Sequence, residues 1–112
     1  MATLLSRGAI VWAELDPVRG HEQGGRRPVL IISNDVINVR SGTVITLAIT
    51  SQPQRAPYPL TFRLANGTLP RESWVKLAQI RTLATERLGP PLGTASPADV
   101  DQIVAGVDQL IR

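Results

Sequence analysis

Arg26 and Arg27 stand side by side between the glycine pair Gly24-Gly25 and Pro28, where a polar stretch turns into the apolar run of residues 29–32. Glycine adopts backbone conformations closed to other residues, so this stretch can turn sharply and carry both guanidiniums against a second surface. A guanidinium keeps its proton at physiological pH, offers a planar fork of donors that fits phosphate oxygens, and stacks on bases. Thr50 ends the apolar "LAIT" run and opens a Thr-Ser-Gln cluster, and Gln79 is a neutral amide between Ala78 and Ile80. A covered amide must find hydrogen-bond partners. An outward-facing Gln79 and a solvated hairpin tip at Arg26-Arg27 are the plainer readings of the same residues.

Composition narrows the chemistry. With no cysteine and one histidine, His21, the chain offers no thiol nucleophile, no disulfide and no histidine-rich or cysteine-ligated metal site. Neither a metal nor a cofactor is expected, and catalysis falls to Arg, Thr, Ser or carboxylates. The formal charge of +3 and a pI near 10.6 favour a phosphate-bearing partner. Only Lys76 among the 12 basic residues is lysine, a bias that suits phosphate binding and that codon usage explains equally well.

At 112 residues, 43% hydrophobic and 19% charged, the chain reads as a single globular domain over residues 1–112. No stretch is apolar for long enough to cross a bilayer, and the N-terminus lacks the pattern of a signal peptide, so no membrane partner and a cytoplasmic location are expected.

The elements that must position these residues are mostly strands. Residues 9–15, 28–32 and 44–49 are apolar and rich in β-branched side chains, and the last two runs read as core strands. Residues 60–64 and 74–80 alternate, so each should bury one face and wet the other, with Lys76 directed away from Val75 and Leu77. Trp12 and Trp74 fall in such strands and read as core. The period changes at Val100, Ile103, Val104, Val107, Leu110 and Ile111, which predicts a helix. Ser96 as its cap, Pro97 at its first position and Asp99 three residues after the cap mark its start. The sum is an α+β protein, mainly β, with about five antiparallel strands and a C-terminal helix.

The polar segment 16–27 is longer than a hairpin requires, as functional loops often are. It belongs to the stretch "RGAIVWAELDPVRGHEQGGRRPVLIISND", which with "LAIT" and "AQIRTL" in that order resembles the MazF/PemK family of toxin endoribonucleases. The similarity runs from Arg7 into the final helix, and the Glu-Gln-x-Gly-x-Arg-Pro pattern is its most specific part. It implies a small SH3-like antiparallel β-barrel with short helices and a C-terminal helix. It also implies a homodimer, single-stranded RNA bound in a groove spanning the subunits, and a cognate antitoxin whose disordered tail is acidic and partly hydrophobic.

By this resemblance Arg27 and Thr50 are the catalytic residues, and Glu22, Gln23 and Gln79 contact substrate. The implied reaction is attack of a ribose 2′-hydroxyl on its adjacent phosphate, giving a 2′,3′-cyclic phosphate and a 5′-hydroxyl, at a preferred sequence and without metal. Glu22 or His21 could accept the hydroxyl proton; His21, also a candidate substrate contact, departs from the small residue usual at its position and reads equally as a loop imidazole with no catalytic role. Residues 51–60, with three prolines, Arg55 and Tyr58, suit stacking and phosphate contact with single-stranded RNA. Two rival expectations remain: a gyrase-poisoning toxin of the same fold, against which the "GVDQLIR" ending and the retained Arg27 and Thr50 argue, and a catalytically silent RNA-binding module.

Overall fold

The computed structural model describes residues 6–15 and 25–112; the sequence-predicted substrate residues His21, Glu22 and Gln23 lie outside them. The elements run β1 (Ala9–Leu15), β2 (Gly25–Ile31), α1 (Asp35–Ser41), β3 (Thr43–Thr50), β4 (Thr61–Arg63), β5 (Trp74–Ala84), a 3₁₀ turn (Thr85–Arg87), β6 (Leu88–Thr94) and α2 (Pro97–Ile111). The six strands form one antiparallel sheet in the order β4-β5-β3-β2-β1-β6. No ladder joins β4 to β6 among the described residues, so the sheet curls as a barrel does but stays open.

Both faces of the central strands are buried, which is why β1 and β2 read as continuous apolar runs instead of alternating ones. On one face Ile10, Leu30, Leu47, Ile49, Val75 and Leu77 meet Val100, Ile103 and Val107 of α2. On the other, Ala9, Val11, Ala13, Val29, Ile31 and Val44 are covered by Leu83 and Leu88, which flank the 3₁₀ turn between β5 and β6. The reading of residues 44–49 as all core needs one correction: Ile45 is 37% exposed. Thr46 is buried in compensation, its hydroxyl donating to the Arg81 carbonyl at 2.8 Å.

The expected start of α2 is present, with the Ser96 hydroxyl accepting from Asp99 N at 3.1 Å. The Asp99 carboxylate does not close a capping box; it accepts from Ala65 N at 3.0 Å and ties the helix to the chain leaving β4. Gly106 lets α2 approach the sheet closely. A Cβ there would lie 2.5 Å from Leu77 Cδ2 and 3.0 Å from the Tyr58 ring.

Two elements were not read from local pattern. Helix α1 has only seven residues and exposes Val36, Ile37 and Val39, so it shows no amphipathic period. Its boundary signals are nevertheless in place: Asn34 accepts from Ile37 N at 2.9 Å, and Gly42 closes the helix at φ 71°. Strand β6 contains Pro90 and Pro91, which an edge strand tolerates because its outer N–H groups have no ladder partner.

Candidate active site

The site is assembled where β2 begins and β3 ends. Val29, Leu30 and Ile31 pair with Ala48, Leu47 and Thr46, and continuing that register by two residues sets Arg27 across from Thr50. Gly25 starts β2 at φ 76°, a conformation that favours glycine, two residues before Arg27. Arg27 is exposed and Thr50 half-buried. The Thr50 Oγ accepts from Gln52 N at 3.1 Å, which orients the hydroxyl and leaves its proton to donate elsewhere.

Two open cavities meet at these residues. The first, about 460 Å³, is lined by Arg27, Thr46, Thr50, Lys76, Gln79 and Arg81 among others. The second, about 620 Å³, includes Trp12, Arg26, Arg27, Thr50, Gln52 and Arg71. Both cavities share Arg27, Pro28, Ile49 and Thr50, so these four form the divide between them, with Val29 of the first cavity and Leu69 and Leu92 of the second belonging to opposite faces of the sheet. Together the described walls carry Arg26, Arg27, Arg71, Lys76 and Arg81 and no carboxylate. A surface of one sign with apolar walls attracts an anion and strengthens every contact to it.

Gln79 reaches the first cavity through a break in the ladder. Leu47 pairs with Ile80 while Ala48 pairs with Lys76, so residues 77–79 of β5 bulge out opposite no residue of β3. The bulge seats Leu77 in the core and leaves Gln79 exposed on the cavity wall. Strict alternation gives no hint of this. Lys76 and Arg81, which the sequence did not mark as site residues, pair with Ala48 and Thr46 and project on the same side. Their signal was available: Lys76 faces away from two buried neighbours, and Arg81 lies within the quoted "AQIRTL".

Other expectations are redistributed. Trp12 is half-buried, with Arg26 Cζ 5.1 Å from its ring centroid, and so belongs to the second cavity rather than the core. Tyr58 lies outside the lining of both cavities: its hydroxyl donates to the Gln102 carbonyl at 2.7 Å, which anchors α2, and its ring meets Phe62 edge-on at 6.3 Å. Among the described residues no cluster of three His, Cys, Asp or Glu could hold a metal ion. No helix there is long and apolar enough to cross a membrane.

The family described as "PemK-like, MazF-like toxin of type II toxin-antitoxin system" matches residues 6–111. The chain belongs to this family. Among MazF-like relatives, the endoribonuclease MazF of Staphylococcus saprophyticus is 38% identical over 107 residues, covering 94% of this chain and 89% of its own. The endoribonuclease EndoA of Bacillus subtilis is 44% identical over 87 residues, covering 76% and 75%. A crystal structure of MazE–MazF from Deinococcus radiodurans superposes with a TM-score of 0.79 at 27% identity, covering 95% of this chain and 94% of that one. The curled six-stranded sheet and terminal helix are therefore the MazF fold.

Proposed function

We propose that this MazF-like chain is an endoribonuclease that cuts single-stranded RNA at a preferred sequence, without metal, and is neutralised by a cognate antitoxin. The observation that carries the reading is the placement of Arg27 and Thr50 at the divide between two cavities whose described walls hold five cations and no carboxylate. An RNA strand crossing the divide presents one phosphate to both residues. The ribose 2′-oxygen forms a bond to that phosphorus, the bond to the 5′-oxygen breaks, and the products are a 2′,3′-cyclic phosphate and a 5′-hydroxyl.

RNA supplies its own nucleophile, so the protein must align the strand, neutralise charge on the phosphoryl oxygens and move protons. Arg27 meets the developing charge and Thr50 donates a hydrogen bond to it. The proton of the 2′-hydroxyl passes to Glu22 or His21, and the departing 5′-oxygen takes one up. Gln79 holds the strand in the first cavity, with Glu22 and Gln23 completing its contacts.

The antitoxin part of the reading rests on family membership and on the Deinococcus radiodurans MazE–MazF assembly. An acidic, partly apolar disordered tail complements the cationic cavities. Pairing of two copies is supported by large apolar side chains left exposed at Val36, Ile37, Val39, Ile45 and Ile80.

The test is incubation of purified protein with a long unstructured RNA in the presence of chelator, followed by mapping of fragment ends. Discrete cuts with cyclic phosphate ends are expected. RNA left intact, or cut only when a divalent metal is restored, overturns the reading.

A further inference from the structure

Beyond the divide, the second cavity has features that phosphate binding alone does not require. Arg26 stands opposite Glu14 in the β1–β2 ladder, yet its guanidinium lies over the Trp12 ring, Cζ 5.1 Å from the centroid. The cation–π contact restrains a side chain that would otherwise sample many rotamers. Gly89 of β6 adjoins both partners; a Cβ there would lie 3.5 Å from Trp12 Cβ and 4.0 Å from Arg26 Nη2, so a longer side chain would cover the contact. Arg26 itself is exposed.

Polar groups suited to a base edge stand on the same cavity wall. Ser51 and Gln52 follow Thr50, and the Gln52 backbone is held at both ends, its N–H by Thr50 Oγ and its carbonyl by Gln54 Nε2 at 2.9 Å. Arg71 adds a cation, and Leu69, Pro70 and Leu92 give apolar wall. Arg27 and Thr50 line this cavity as well as the first, so it borders the place where they would meet a phosphate.

We propose that the second cavity is a nucleobase subsite in which a purine flanking the scissile phosphate stacks on the Arg26 guanidinium held over Trp12, with Arg71 at a neighbouring phosphate. This rests on the endoribonuclease reading. Two fused rings cover the platform more fully than one, which makes the subsite select purine over pyrimidine. Arg26 is thereby a positioning residue that sets which sequences are cut, distinct from the charge-stabilising Arg27 beside it.

The test uses a single-stranded oligonucleotide carrying the mapped cleavage motif, with 2′-deoxyribose at the cut site and 2-aminopurine placed in turn at each flanking position. The full-length protein is expected to quench fluorescence at one position, and Arg26→Lys, which keeps the charge but removes the plane, to abolish that quenching. On the cleavable RNA, Arg26→Lys should raise KM about tenfold, the size expected for one stacked base, with a much smaller change in kcat. Quenching that survives Arg26→Lys, or an equal tolerance of purine and pyrimidine at that position, overturns the subsite. Cleavage without quenching at any position removes the subsite and leaves the nuclease standing; quenching without cleavage of the all-ribose strand does the reverse.

Discussion

Arg27 and Thr50, on neighbouring antiparallel strands, wall the same two cavities. Each side chain is thus within the lining of whatever occupies either cavity, and neither is part of the hydrophobic core. Arg27→Ala is expected to lower RNA cleavage by about 10²–10³-fold, the range for loss of a preorganised charge-stabilising donor. Thr50→Val should cost roughly tenfold or more, as for a hydrogen bond to a charged group. Fragment mapping gives the rates, and an unchanged thermal unfolding curve shows that the fold is intact.

Lys76 and Arg81 line the first cavity but not the second. If Lys76 contacts a phosphate, Lys76→Ala should weaken binding of a non-cleavable RNA while flattening the plot of log affinity against log salt by about one unit of slope. A slope equal to that of the unmodified protein would place Lys76 off the RNA path.

Gly106→Ala sets helix propensity against packing. Alanine gains about 1 kcal/mol in a helix interior, but its Cβ would press on the fully buried Leu77 and on the Tyr58 ring. Overpacking of this kind costs about 1–3 kcal/mol, so the variant should unfold at a lower denaturant concentration with its cleavage pattern unchanged.

Tyr58→Phe separates anchoring from recognition. Removing the hydroxyl that holds the Gln102 carbonyl should cost about 0.5–1.5 kcal/mol of stability. Because Tyr58 lies outside the lining of both cavities, the cleavage motif and KM should stay as they were; a changed motif would return this residue to the RNA surface.

Val39 is 67% exposed on α1. If the apolar surface there joins two copies, Val39→Glu should raise the dimer dissociation constant, read by sedimentation equilibrium, with little effect on monomer folding. An unaltered constant would move the interface elsewhere.

Much of the fold was legible because local and global preferences agree. Strand β1 occupies residues 9–15 as expected, and α2 begins at Pro97 because the Ser96 hydroxyl, the proline and the apolar spacing all demand it. What escaped were elements defined by their surroundings. Strand β6 exists because β1 offers an unpaired edge, despite Pro90 and Pro91. The bulge at residues 77–79 exists because Leu77 is held in the core while Ile80 resumes the ladder, a long-range constraint that no window of sequence contains. At the site, family resemblance pointed to Arg27, Thr50 and Gln79, and the structure brings these three to one cavity. Trp12 was misread because an aromatic in an apolar strand looks the same whether its ring meets leucine or an arginine arriving from the next strand.

The shared position of the divide bears finally on turnover. A strand spanning both cavities is gripped on two sides at once, and the two grips multiply in affinity because they act through one tether. Once the strand is severed at the divide, each fragment keeps a single grip and the multiplication is gone. On the proposed reading the cut would therefore also be the release step, because a site that holds an intact strand at two places binds either half more weakly.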